Sequence, residues 1–305
     1  MSLFLGIDGG GSKTVCAVAD ETNVLARATT GGCNVVRLGE ETARANLQDA
    51  IRQACETASV RPQDIDAAVI GVAGAASVAA VAETVRRATA DLGLREVEVV
   101  GDNVIAMEAA FAGLPGVVVM AGTGSIAFAR NPRGETARAG GYGFAVSDEG
   151  SGHWIGRALI AAALRAHDQG SSHLLDAAIA HWAVDSRDAL VRRSNQTPPP
   201  DFAQLFPFAL QAATAGDTVA MSVLHDAGRE LAGLASTVLS RLWEERKPVR
   251  VALGGGVFAN AAAIRKTFYI SLREKHPLVA VNFRPIEPVA GALWLARRAG
   301  VKVRG

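Results

Sequence analysis

Leu3-Phe4-Leu5-Gly6-Ile7-Asp8-Gly9-Gly10-Gly11-Ser12-Lys13-Thr14 is an apolar run that ends in an aspartate, three glycines and small hydroxyl residues. Glycines lack Cβ atoms, so their backbone N–H groups can close around an anion. A carboxylate at a strand end can hold magnesium or its waters. The segment reads as a nucleotide-phosphate turn with Asp8 as the metal ligand. The competing reading is a glycine-rich hairpin that binds nothing.

Two commoner glycine loops do not fit. Gly6 and Gly11 have P-loop spacing, but Ser12 separates Gly11 from Lys13. In a dinucleotide fingerprint, Thr14 would occupy the third glycine position. The following Val15-Cys16-Ala17-Val18-Ala19 is apolar, which predicts a returning strand and a hairpin.

Working outward, strands are expected at Leu3 to Asp8, Thr14 to Ala19 and Val24 to Thr29, with a loop at Thr30 to Asn34. Gly39 to Thr57 reads as a helix with Ala43, Leu47, Ala50, Ile51 and Ala54 on one face. Ile65 to Val72 reads as a strand, Val78 to Leu92 as a helix and Val97 to Gly101 as a strand. Asn103 to Phe111 is a helix closed by Gly113 and Pro115.

A second round then begins. Val117 to Met120 is a strand, Gly122-Thr123-Gly124-Ser125 a turn, and Ile126 to Arg130 and Thr136 to Ala139 two further strands. The order strand, small-residue turn, strand, strand thus occurs twice, an internal repeat of fold. Residues 150 to 245 read mainly as helices, interrupted at Ser194 to Asp201. Val249 to Leu253 is a strand leading into Gly254-Gly255-Gly256-Val257. A helix at Ala259 to Lys275, a short strand at Leu278 to Val281 and a helix at Val289 to Arg298 complete the pattern.

The chain has 305 residues, enough for two domains. Net charge is +1 without a basic tract and aromatic residues are only 5%, which argues against nucleic acid as a partner. No apolar stretch is long enough for a membrane helix, and Asp8 comes too early for a signal core. Cys16, Cys33 and Cys55 have no metal or disulfide spacing, which points to a reducing, cytoplasmic setting.

Three glycine-rich turns now stand at strand ends: Gly9 to Gly11, Gly122 to Gly124 and Gly254 to Gly256. This set resembles the actin-like superfamily of sugar kinases, heat-shock chaperones and actin. Within it, the chain is most similar to N-acetylglucosamine kinase and the BadF/BadG/BcrA/BcrD ATPase group. The residues carrying the resemblance are Gly6 to Thr14, Gly101-Asp102, Ala121 to Ser125, Gly140-Gly141-Tyr142-Gly143 and Ser147 to Ser151. It spans essentially the whole chain and is weakest between about residues 165 and 245.

The resemblance implies an α/β fold of two actin-like (ribonuclease H-like) domains of duplicated topology, with a ligand cleft between them. The expected domains are 1–115, completed by the helix 289–298, and 116–288 with a helical insertion. It also implies ATP and Mg2+ as cofactors, a small-molecule sugar as partner, and compatibility with a homodimer. Gly9, Gly10, Gly11, Ser12, Lys13 and Thr14, Gly122, Thr123, Gly124 and Ser125 would hold phosphates. Gly254, Gly255 and Gly256 would face the adenosine. Asn34, Gly74, Asp102, Gly141 and Asp148 would contact the sugar.

Asp102 would be the general base, although a carboxylate before a helix can equally be an N-cap. Asn34 could form only an Asx-turn, and Asp148 could cap the next helix. His153, Trp154 and Trp294 read as structural. The chain departs from the group at Tyr142, where tryptophan is frequent, and at Val35-Val36, which lacks an aromatic residue. The expected reaction is ATP-dependent phosphorylation of an amino sugar, N-acetylglucosamine at its 6-hydroxyl, with glucosamine or another hexose as alternatives. Readings of other classes are an activator ATPase of acyl-CoA reduction and a nucleotide-dependent sugar sensor without turnover.

Overall fold

The computed structural model describes residues 2–303 apart from 75–78, 172 and 244–246. Val78, expected to open a helix, lies outside the described residues. The elements are β1 (Phe4–Gly9), β2 (Lys13–Ala19), β3 (Val24–Gly31), α1 (Val35–Leu38), α2 (Glu40–Thr57), β4 (Ala67–Val72), α3 (Ala79–Ala90), β5 (Val97–Gly101) and α4 (Asp102–Phe111). There follow β6 (Gly116–Ala121), β7 (Ser125–Arg130), β8 (Thr136–Gly140), α5 (Gly152–Asp168), α6 (His173–His181), α7 (Arg187–Ser194), α8 (Phe206–Thr214) and α9 (Thr218–Leu242). The last are β9 (Val249–Gly254), α10 (Gly256–Asn260), α11 (Ala262–Lys275), β10 (Val279–Ile286) and α12 (Pro288–Val303).

The chain forms two compact units, Met1–Val118 with Ile286–Gly305, and Val119–Pro285. The first sheet has the order β3-β2-β1-β4-β5 and the second β10-β9-β6-β7-β8. Numbered within each round, both orders are third-second-first-fourth-fifth, so the repeat read from the sequence is a repeat of topology. This is an α/β fold.

In the first unit, β1 pairs antiparallel with β2 and parallel with β4, and β4 pairs parallel with β5. Alternation along β1 sends Leu5 and Ile7 into a core with Leu47, Ile51 and Val85 of α2 and α3. Phe4 faces the opposite way, into a core with Val289, Leu293 and Ala296 of α12 and Ile105 of α4. A fully buried Leu, Ile or Val contributes about 1.5–3 kcal/mol, so these two faces carry much of the unit's stability.

The last helix therefore packs on the first strand and on α4. The contact is tight at Gly291, where a Cβ would run into the Ile105 carbonyl oxygen and the Ala109 nitrogen. Overpacking against backbone costs about 1–3 kcal/mol. We therefore expect Gly291→Ala to lower the unfolding free energy measured by urea denaturation by an amount in that range, and an unchanged free energy would show that α12 and α4 can part without cost.

In the second unit α9 lies on β7 and β8 and packs against α5, α8 and α11. Three boundaries differ from the sequence expectations. Val35–Leu38, lying between the expected Thr30 to Asn34 loop and the expected helix from Gly39 and assigned to no element, is a one-turn helix capped by Asn34. The helix expected from Ala259 is broken at Ala261, whose extended backbone separates α10 from α11. The last strand is longer than expected, Val279–Ile286, because its exposed edge carries no apolar alternation to mark it.

Candidate active site

In the first unit, parallel pairing aligns the carboxyl ends of three strands. Gly9 pairs with Val72, and Val72 with Gly101. Adjacent strands lie about 4.8 Å apart, so Gly9 and Gly101 are separated by roughly 10 Å. The glycine turn, the Val72-Ala73-Gly74 exit and Asp102 thus share one end of the sheet. Alternation also puts Asp8 on the same face as Phe4, the face covered by α4, and Asp102 opens α4.

The two carboxylates feel each other. Burial, the nearby Asp102 charge and a smaller opposing effect of Lys13 together raise Asp8 from 3.8 to about 6. The N-cap of α4 is Gly101, not Asp102. Asp102 is the first helical residue and accepts the N–H of Asn103 at 2.9 Å. The capping alternative for Asp102 is therefore not what the fold uses.

The first turn closes where the Gly10 N–H donates to the Lys13 carbonyl at 3.0 Å. The Gly31 to Asn34 loop is tied to it, because the Cys33 N–H donates to the Gly10 carbonyl at 3.1 Å. A trans peptide points its C=O and N–H in opposite directions, so this bond turns the Gly11 N–H away from the Cys33 loop. Asn34 is thereby held beside the first glycine turn, with its Oδ1 accepting from the Arg37 N–H at 3.2 Å. Ser12 and Lys13 are exposed at the tip. Thr14 sits beneath it, fully buried, with its hydroxyl donating to the Gly31 carbonyl at 2.8 Å. Gly74, at φ 85°, is exposed at the end of β4.

The second unit gathers the other two turns. The Gly122 N–H donates to the Gly124 carbonyl at 2.9 Å. The start of α5 is docked on the same turn, with the Gly152 N–H donating to Gly122 at 2.8 Å and the His153 N–H to Thr123 at 3.3 Å. These are two of the N–H groups that a helix start leaves without internal partners. The same peptide geometry aims the Thr123 and Gly124 N–H groups away from α5. Gly255, at φ 90°, brings the third turn against the Ala121 carbonyl oxygen, where a Cβ would collide.

Asp148, expected either to cap the helix or to contact sugar, is not the cap. Ser151 caps α5, its Oγ accepting from the Trp154 N–H at 3.1 Å. Asp148 is buried, at φ 65°, and its Oδ1 accepts from the Ser125 N–H at 3.3 Å. The Ser125 hydroxyl faces inward and donates to the Glu149 carbonyl at 2.7 Å. Gly141, at φ 72°, leads into an exposed loop carrying Tyr142, Phe144 and Val146.

A family model described as the BadF/BadG/BcrA/BcrD ATPase family matches residues 5–296. The chain belongs to this family. Over 97% of its length it is 31% identical to an N-acetylmuramic acid/N-acetylglucosamine kinase of Clostridium acetobutylicum, 99% of which is covered. An N-acetyl-D-glucosamine kinase of Dictyostelium discoideum is 28% identical over 96% of this chain and 97% of its own. A Chromobacterium violaceum crystal structure, provisionally assigned as an N-acetylglucosamine kinase, superposes with a TM-score of 0.77 at 25% identity, covering 97% of this chain and 99% of that one.

In this member of the BadF/BadG/BcrA/BcrD ATPase family, sequence reasoning missed two supports. Ser151 had a readable signal, a serine directly before a helical pattern. The bond from Cys33 to the first turn had none, because it joins two segments that the sequence shows only as loops. Among the described residues, no helix is long and apolar enough to cross a membrane, and no group of three or more His, Cys, Asp or Glu is placed to hold a metal.

Proposed function

We propose that this chain is an ATP-dependent kinase that phosphorylates an amino sugar, with N-acetylglucosamine at its 6-hydroxyl as the favoured substrate. The observation that carries this reading is the pairing of Asp8 and Asp102 at one sheet end, beside a glycine turn. Two carboxylates that repel each other suit a site in which one meets a cation and the other takes a proton. Asp102 accepts the proton of the attacking hydroxyl, and helix α4 fixes its position. Asn34 and Gly74 border that hydroxyl. Backbone N–H groups of the first turn, with Thr123 and Gly124 of the second unit, face the phosphates, and Gly254 to Gly256 serve the adenosine. Positioning and electrostatics dominate phosphoryl transfer.

The donor set fits magnesium, because Asp8 is a half-buried carboxylate whose negative charge Asp102 opposes. When bound with ATP, magnesium would offset the phosphate charge. Asp148 and Gly141 would add sugar contacts from the second unit, and the domain limits expected above belong to the same proposal. Ser125 and Thr14 support it from beneath, since their hydroxyls are given to carbonyls. The activator reading needs cysteines that can hold a cluster, whereas Cys16, Cys33 and Cys55 are all buried. A cytoplasmic setting follows the same thiols.

ADP release with glucosamine, N-acetylglucosamine, N-acetylmuramic acid, N-acetylmannosamine and glucose tests the reading. We expect release to depend on an N-acylated sugar. We also expect ATP with magnesium at about 100 times its dissociation constant to stabilise the protein by about 2.7 kcal/mol, with sugar adding to this. The absence of a thermal shift with saturating ATP and magnesium would remove the nucleotide assignment. Shift without sugar-dependent turnover would favour the sensor.

A further inference from the structure

We propose that Asn46, on helix α2, is a positioning residue for the first glycine turn, and that it acts through two peptide groups to aim the Gly11 N–H. This deepens the kinase reading and rests on its assignment of that turn to phosphate.

A line of hydrogen bonds joins α2 to the turn. The Asn46 Nδ2–H donates to the Gly32 carbonyl at 2.7 Å. The Gly32 C=O and the Cys33 N–H belong to one peptide group, and a trans peptide points them in opposite directions. On the far side the Cys33 N–H donates to the Gly10 carbonyl at 3.1 Å. That carbonyl shares its peptide with the Gly11 N–H, which gives no hydrogen bond to a described residue. Three amide dipoles thus stand in series and end on a donor in the glycine turn. Hydrogen-bonded amides in such a chain polarise one another, so the bonds behind it make the Gly11 N–H a better donor to an anion.

Packing holds the line in place. A Cβ on Gly32 would run into the Gly11 carbonyl, and one on Gly31 into the Asn46 carboxamide. The Thr14 hydroxyl donates to the Gly31 carbonyl and the Thr30 hydroxyl to the Asn46 backbone carbonyl, each at 2.8 Å, so β2 and α2 grip the loop together. Asparagine is a weak former in a helix interior, and Asn46 lies inside α2. Its side chain makes no other hydrogen bond to a described residue. Gly32 and Cys33 are both buried. A buried carbonyl that loses its donor carries the full cost of desolvation, so without Asn46 the Gly32–Cys33 peptide gains by turning towards another partner. That turn would take the Cys33 N–H off Gly10 and release the Gly10–Gly11 peptide.

The test compares the full chain as wild type and Asn46→Asp, which keeps size and shape but turns the donor into an acceptor facing the Gly32 carbonyl. In unliganded protein, amide exchange at Cys33 should speed up at least tenfold and the Gly11 amide proton should move upfield. With magnesium present, ATP should bind at least fivefold more weakly, and kcat with N-acetylglucosamine should fall at least tenfold. The KM for ATP should rise more than the KM for sugar, because the line ends at Gly11. If Asn46→Asp does not fold, Asn46→Ala, which removes the donor and suits a helix interior, takes its place with the same expectations. Unchanged exchange at Cys33, or ATP binding weakened less than fivefold, would overturn the proposal while leaving the kinase reading intact. Parallel losses of melting temperature, ATP affinity and sugar affinity would reduce Asn46 to a structural residue and also overturn it. Wild type that binds no ATP with magnesium would overturn the phosphate assignment and the proposal with it, whatever the amide exchange shows.

Discussion

Asp102→Asn should lower kcat by roughly 10²–10⁴-fold, the contribution of a positioned general base, while sugar affinity stays within a few-fold of wild type. The substitution is close to isosteric. The amide oxygen can still accept the Asn103 N–H that the carboxylate accepts at 2.9 Å, so α4 keeps its start. The cap of that helix is the Gly101 backbone, which the change does not touch. What is lost is the basic oxygen at the end of β5. Single-turnover kinetics with N-acetylglucosamine would read the loss directly. Turnover within about threefold of wild type at neutral pH would remove Asp102 from the base role and return it to a helix-start residue.

Asp8→Asn should abolish magnesium-dependent turnover and, at the same time, make the unliganded protein more stable. The sign follows from its titration. Asp8 is raised from 3.8 to about 6 in the fold, chiefly by burial and then by Asp102. A carboxyl that holds its proton more tightly when folded destabilises the fold wherever it is ionised, above about pH 6. That cost fades as pH falls from about 6 towards 4, and is gone below the unfolded value. Asparagine removes it, so the gain at pH 7–8 should be ~1–3 kcal/mol, given about 1.4 kcal/mol for each pKa unit. The gain should vanish near pH 4. Adding ATP and magnesium should reverse the order, stabilising wild type but not the variant. Wild-type activity at limiting magnesium should also fall as pH drops through about 6, where a proton competes for the carboxylate. Equal stabilisation of both proteins by ATP and magnesium would remove Asp8 from the metal role. A lower melting temperature for the variant at pH 8 would contradict the burial argument.

Much of this site was legible because its signals are local in sequence. Glycines beside an aspartate at the end of an apolar run mark the first turn wherever the chain folds. The same composition recurring at Gly122 to Ser125 and Gly254 to Val257 revealed the repeat, and the strand orders agree with it. Other features depend on direction, which composition does not encode. Thr14 and Ser125 read as phosphate-facing hydroxyls, yet both give their protons to carbonyls behind the turn. Asp148 and Ser151 compete for the same capping position in sequence, and only the backbone at φ 65° assigns the cap to Ser151. Helix α1 was illegible because four residues cannot show a helical period. Strand β10 was clipped because its outer half is largely exposed.

The packing of α12 on β1 and α4 also sets a timetable for synthesis. The first unit is discontinuous, its last piece beginning only at Ile286. A ribosome releases Asp8, the glycine turn and Asp102 early, yet the apolar face of Phe4, Ala67, Val69 and Ile105 has no cover until Val289, Leu293 and Ala296 emerge. The second unit, a continuous stretch, can fold while the five strands of the first wait with one apolar face uncovered. The nascent chain thus carries the apolar face beneath Asp8 and Asp102 uncovered for most of translation, in the exposed state that chaperones recognise.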